Sequence, residues 1–184
     1  AVSRQKTHRL FFALQPNESV RRAVSAVQKD CGAEGRAVPA ANFHITLAFL
    51  GMQDAAVIEH VCEVASSLLF QPCEVTLDRF GRFKRAGVLW LGAGQVPGSL
   101  AAFQHDLVGA LLDAGIGYDR KPWEFHLTLY RKMRKPPPKM GSIAIPWRLD
   151  GFGLIESVSV NRGVEYHSVA AWKAACEGDR PAGA

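Results

Sequence analysis

The sequence predicts an α+β fold, bilobal and duplicated, with two antiparallel-rich sheets facing a central cleft and helices on their outer faces. Three observations predict it. Phe43-His44-Ile45-Thr46-Leu47 returns as Phe125-His126-Leu127-Thr128-Leu129. The two histidines lie 82 residues apart, much longer than a solenoid period and natural for one half copied once. Strand-like alternation and helical stripes succeed one another on both sides of that spacing. Residues 1–184 then read as one bilobal domain, with a flexible tail expected from about 174.

Leu10 to Leu14 is a short apolar run and reads as a buried strand that stops at Pro16-Asn17. Asn17 can cap the next helix, whose stripe is Val20, Ala23, Val24 and Val27, and Gly32 and Gly35 end it. The first His-Thr strand runs to about Leu50, where Gly51 breaks it. Asp54 then caps a helix with the stripe Ile58, Val61, Cys62, Ala65, Leu68 and Leu69, which leaves His60 exposed. Strands follow around Cys73 to Phe80 and Val88 to Gly92, joined by a basic segment with Gly81 and Gly87. From Ser99 to Ala114, Leu100, Phe103, Leu107 and Leu111 mark a helix that Gly115 and Gly117 stop, with His105 off the stripe. The second His-Thr strand comes next, then a Pro136-Pro137-Pro138 loop, and strands near 151–158 and 163–169 close the chain. His167 on the last strand reads as strand decoration, and His8 as a surface residue.

Each repeat alternates polar and apolar positions, so one face of each strand carries His and Thr and the other packs. Same-face side chains sit about 6.5–7 Å apart, which lets an imidazole and a hydroxyl reach one tetrahedral group. In-line displacement at a phosphodiester needs a base for the attacking oxygen and an acid for the leaving oxygen. Two imidazoles with ordinary pKa values near 6.5 can divide those tasks at neutral pH. Thr46 and Thr128 can donate to the non-bridging oxygens. That scheme needs no metal and no cofactor. Zinc is the rival use of paired histidines, but neither repeat carries a further ligand within its own strand.

The chain has 184 residues, 48% hydrophobic and 21% charged, which excludes a disordered polymer and suits one globular domain. No apolar run is long enough to span a bilayer and no leader-like segment is visible, so a soluble cytoplasmic protein is expected. Cys31, Cys62, Cys73 and Cys176 form no Cys-x-x-Cys pair, which agrees with reduced thiols. The net charge of +5 favours anionic partners. Arg79, Arg82, Lys84 and Arg85 form one basic cluster; Arg131, Lys132, Arg134, Lys135 and Lys139 follow the second repeat. Phe80, Phe83, Trp123 and Tyr130 lie near enough in sequence to stack on bases.

The paired H-x-T-x strands, the opening Arg9-Leu10-Phe11-Phe12-Ala13-Leu14, the stretch Val88-Leu89-Trp90-Leu91-Gly92 and Arg131 five residues after His126 resemble the two-histidine phosphoesterase superfamily. The resemblance covers nearly the whole chain and is specific to RNA 2′,3′-cyclic phosphodiesterases, also named 2′-5′ RNA ligases. It implies hydrolysis of a terminal 2′,3′-cyclic phosphate to a 2′-phosphate, with ligation as the reverse of phosphodiester cleavage at a 2′-5′ linkage. It implies His126 as proton acceptor, His44 as proton donor, Thr46 and Thr128 on the phosphate oxygens, and Arg131 on the charge that develops. The implied partner is RNA with a 2′,3′-cyclic phosphate end, tRNA fragments among the candidates, with no membrane and no obligatory protein partner. One departure is visible: this group often has Pro before the second histidine, where this chain has Phe125. Two alternatives stand beside this reading: a phosphodiesterase for small cyclic nucleotides or 2′-5′ oligoadenylates, and a non-catalytic RNA- or nucleotide-binding module.

Overall fold

The computed structural model describes residues 6–138 and 140–175, so Lys139, Cys176 and most of the expected tail lie outside the described residues. Strand β1 (Thr7–Leu14) leads into helix α1 (Glu18–Asp30), which Asn17 caps by accepting from the Val20 amide at 3.0 Å. The short β2 (Arg36–Ala37) and a 3-10 turn at Ala40–Asn42 precede β3 (Ile45–Asp54), which carries the first repeat. A second 3-10 turn, helix α2 (Ile58–Ser66) and strands β4 (Cys73–Leu77), β5 (Arg79–Phe83) and β6 (Val88–Gly92) follow. Helix α3 (Gly98–Asp113) then precedes β7 (Leu127–Arg131), which carries the second repeat, and β8 (Ile145–Leu149), β9 (Gly151–Val160) and β10 (Gly163–Lys173) complete the order.

The main sheet has the order β10-β9-β1-β3-β7-β6-β5, with β2 added on β7, while β4 and β8 pair only with each other. All of these pairings are antiparallel. Apart from β10, the order exchanges onto itself about the β3/β7 junction. The unit β1-α1-β3 corresponds to β6-α3-β7, and β9 on β1 corresponds to β5 on β6. Where two separate facing sheets are expected, the two halves join edge to edge at the pair Ile45↔Leu127. That pairing occupies backbone groups that two edge strands would otherwise leave open.

The helix-covered face of the sheet holds the large core, in which Leu10, Phe12, Ile45, Leu47, Leu127 and Leu129 meet Val24, Phe103 and Leu107. Trp147 and Leu149 on the ribbon join the same core, and α1 packs on β8. Burying each such side chain contributes about 1.5–3 kcal/mol, so this face sets the register of both repeats. On the opposite face Phe11, Ala13 and Ile155 form a small separate cluster, with Phe49 and Tyr166 packed against it. Here the sheet stays open for a site. Buried Gln28 ties α1 to β7, donating at 2.9 Å to the carbonyls of Leu129 and Val38, while the Tyr130 hydroxyl donates to the Gln28 carbonyl at 2.7 Å.

Several local expectations change. Gly51 bends β3 rather than ending it: its φ is 69°, and the β1 register shifts beside it, so the strand continues to Asp54 as a bulged strand. Asp54 precedes a 3-10 turn without a side-chain cap, and Leu69 is exposed. The single strand expected at 73–80 divides, because β4 pairs β8 while β5 turns at Asp78 to pair β6. Strand β8 escapes the sequence pattern because Pro146 sits in it, tolerated in a two-stranded ribbon. His8 is not a loose surface group; its Nδ1 lies 2.7 Å from Glu156 Oε1. No helix among the described residues is long and apolar enough to cross a membrane.

Candidate active site

Antiparallel pairing at Ile45↔Leu127 places His44 across from Thr128 and Thr46 across from His126, all four on the face opposite the core. The burial pattern agrees: Ile45, Leu47, Leu127 and Leu129 are buried, whereas the four polar side chains are half-buried. The expected quartet is therefore brought together, side by side at the junction of the two halves.

The same local device orients both imidazoles. Nδ1 of His44 lies 2.8 Å from the Asn42 carbonyl, and Nδ1 of His126 lies 2.8 Å from the Glu124 carbonyl. A carbonyl only accepts, so each Nδ1 carries a proton and each Nε2 is left for chemistry. His44 Nε2 lies 2.9 Å from Thr46 Oγ1. Each ring is also edged by two aromatics. Phe11 and Tyr166 approach His44 with centroids at 4.9 and 5.2 Å, while Phe83 and Trp90 approach His126 at 5.1 and 6.0 Å. Trp90 in turn lies flat over Gly81, where an added Cβ would come within 2.1 Å of the indole. The glycine sets the indole that edges His126.

The open face holds two adjoining hollows that share Thr46 and Phe49. One, about 480 Å³, contains His44, Thr128 and Arg131; the other, about 690 Å³, contains His126, Phe83 and Trp123. The Trp123 indole donates to the Thr46 carbonyl at 2.9 Å and so ties the approach to the second repeat onto the first. Phe83 and Trp123 face the cleft as expected of stacking groups, whereas Phe80 packs on the core and Tyr130 is buried. Phe125 is buried in the core, so its side chain is no part of the cleft wall.

An ordinary pKa was expected for both histidines, and His44 departs from it. Burial lowers it to about 4, helped by the charges of Arg131 and His126 and opposed by the hydrogen bond to the Asn42 carbonyl. His44 is therefore neutral in the unliganded protein at neutral pH, with the Thr46 hydroxyl donating to its Nε2. Arg131 ends β7 with its side chain toward the first hollow, and the chain then turns through Lys132 at φ 55°. The basic segment 79–85 sends only Phe83 to the cleft, and among the described residues of the second basic segment only Arg131 and Lys132 line it.

Sequence reading missed Arg9, Phe11, Arg36, Asn42, Arg162 and Tyr166, all of which line the first hollow. Phe11 and Arg9 did lie within the conspicuous opening strand, Asn42 directly precedes the first repeat, and Tyr166 lies on the strand expected at 163–169; Arg36 and Arg162 sit in stretches with no pattern of their own. His60, His105 and His167 stay outside both hollows, and His167 lies 3.1 Å from Glu165. Among the described residues no cluster of three His, Cys, Asp or Glu side chains is placed to hold a metal ion.

Residues 14–90 match the LigT-like phosphoesterase family. An RNA 2′,3′-cyclic phosphodiesterase of Archaeoglobus fulgidus is 31% identical over 153 residues, which cover 80% of this chain and 85% of that protein. The chain belongs to the LigT-like phosphoesterase family. A second relative of this LigT-like phosphoesterase, the RNA 2′,3′-cyclic phosphodiesterase of Escherichia coli, is 33% identical over 138 residues, covering 71% of this chain and 77% of that protein. The crystal structure of E. coli LigT complexed with 3′-AMP superposes with a TM-score of 0.82 at 27% identity, covering 92% of this chain and 99% of the other. The α+β architecture with antiparallel sheets is thus the family's fold.

Proposed function

We propose that this protein hydrolyses the 2′,3′-cyclic phosphate at an RNA end to a 2′-phosphomonoester, using His126 as base and His44 as acid. The observation that carries this reading is the His44–Thr128 and Thr46–His126 quartet, with both Nδ1 atoms anchored on carbonyls. A phosphate set over the four side chains meets an imidazole on either side. His126 Nε2 takes a proton from water as its oxygen bonds to phosphorus. The P–O3′ bond breaks, and the 3′ oxygen receives a proton from His44. Thr46 and Thr128 donate to the non-bridging oxygens, and Arg131 spreads the developing charge over paired donors. Ligation at a 2′-5′ linkage is the same path with a 5′ hydroxyl in place of water, and its reverse is cleavage of that linkage by the 3′ hydroxyl.

Relatives named for this activity over most of the chain support the assignment, and the nucleotide complex of E. coli LigT supports a nucleotide in the cleft. The exchange symmetry of the strand order supports reading residues 1–184 as one bilobal domain grown from a duplicated unit. Free Cys31, Cys62 and Cys73 fit a cytoplasmic setting.

Incubation with a short RNA ending in a 2′,3′-cyclic phosphate, in EDTA, is expected to yield the 2′-phosphate, resolved from its isomer by phosphorus NMR. A 3′-phosphate product would reverse the leaving oxygen; no opening would remove the activity.

His44 must gain its proton as the substrate phosphate arrives, since negative charge beside an imidazole raises its pKa. In the free protein, turnover needs one proton over the histidine pair. Below about pH 4 His44 takes up a proton before any substrate arrives, which leaves the pair with a proton too many. The kcat/KM profile is expected to be a bell whose acidic limb bends near pH 4. A profile with no bend on that side would count against His44 as one of the pair.

A further inference from the structure

Beyond the four repeat residues and Arg131, the first hollow carries a line of cations that the chemistry above does not use. Arg36 on β2 is the direct cross-strand partner of Arg131 on β7. Like charges in that position destabilise a ladder. Arg36 does not turn to an acid; its guanidinium donates to the Arg162 carbonyl at 2.9 Å, in the turn between β9 and β10. On the other wall, Arg9 pairs with Ser157, which pairs with Tyr166, the ring that edges His44. The Arg9 guanidinium lies over the Phe49 ring at 5.0 Å from its centroid. The ion pairs among the described residues include none of Arg9, Arg36, Arg131 or Arg162. Three arginines, Arg9, Arg36 and Arg162, with Lys132 and the serines Ser157 and Ser159, thus line the hollow beside the phosphate position. In the second hollow, beside His126, Phe83, Tyr118 and Trp123 line the wall, and its cations are engaged: Lys121 lies 3.9 Å from Asp119 and Arg120 lies over the Tyr118 ring.

We infer that Arg9, Arg36 and Arg162 form a second phosphate subsite, which takes the phosphodiester on the 5′ side of the nucleotide bearing the cyclic phosphate. This rests on the proposed reaction and specifies its substrate as an RNA chain rather than a mononucleotide. An anion there relieves the Arg36/Arg131 repulsion, and guanidinium forks match its oxygens in pairs.

The test compares two dinucleotides ending in a 2′,3′-cyclic phosphate, one with a natural phosphodiester linkage and one with an uncharged methylphosphonate linkage. Charge-assisted contacts predict that wild type prefers the natural linkage by about tenfold or more in kcat/KM. In Arg36→Gln and Arg162→Gln that ratio is expected to fall toward one. A variant that is merely misfolded loses both substrates together and keeps the ratio. Equal use of both linkages by wild type, or an unchanged ratio in variants that still turn over the methylphosphonate substrate as wild type does, overturns the subsite. If a 5′-phosphate on a cyclic mononucleotide raises kcat/KM while the natural linkage does not, the RNA-chain assignment falls. If neither dinucleotide is opened, the reaction itself fails, and the subsite defined by its substrate fails with it.

Discussion

Replacing His44 or His126 by alanine is expected to lower turnover of a cyclic-phosphate RNA end by about two to four orders of magnitude each. In the proposed reaction each imidazole holds one of two proton transfers on opposite sides of phosphorus, and each is anchored through Nδ1 on a carbonyl two residues before it. The double variant is expected to be little worse than the weaker single one, because groups that act as a unit do not add. Rates from single-turnover quenching, with the product isomer identified, are the measurement. His44 is wedged between Phe11 and Tyr166, so alanine also leaves a gap there. His44→Gln fills that gap without an imidazole; it should be as inactive as the alanine variant. Retention of a tenth or more of wild-type turnover by either single variant would remove that histidine from the proposed role.

Arg131→Gln is expected to cost about a hundredfold to a thousandfold, mainly in kcat, as for loss of one preorganised donor to a transition-state oxyanion. The guanidinium is free of carboxylates among the described residues and close enough to influence both His44 and Tyr166. Arg131→Lys keeps the charge but not the fork, so it should recover only part of the loss. Both variants remove nothing from the core, and Arg131→Gln also relieves repulsion from Arg36. Thermal melting is therefore expected to stay level or rise slightly in the glutamine variant. A change confined to KM, with kcat intact, would make Arg131 a ground-state anchor instead.

The partition between sequence and tertiary structure can be read residue by residue. Period-two alternation by itself determined that His44, Thr46, His126 and Thr128 share faces opposite buried aliphatics, because a strand's side-chain direction is a local property. Helical spacing likewise located α1 and α3, and Asn17 announced the start of α1. Periodicity names a face and never a neighbour. Only the tertiary structure decided that the repeats meet at Ile45↔Leu127 in one sheet. It also decided that β2, two residues long, sets Arg36 beside Arg131, and that a turn near the chain's end lends Arg162 to the same hollow. The lowered pKa of His44 belongs there too, since burial and the neighbouring charges come from strands distant in sequence. Local chemistry picked out the groups proposed to react. Long-range packing set the protonation of His44 and the shape and charge of the hollows around them.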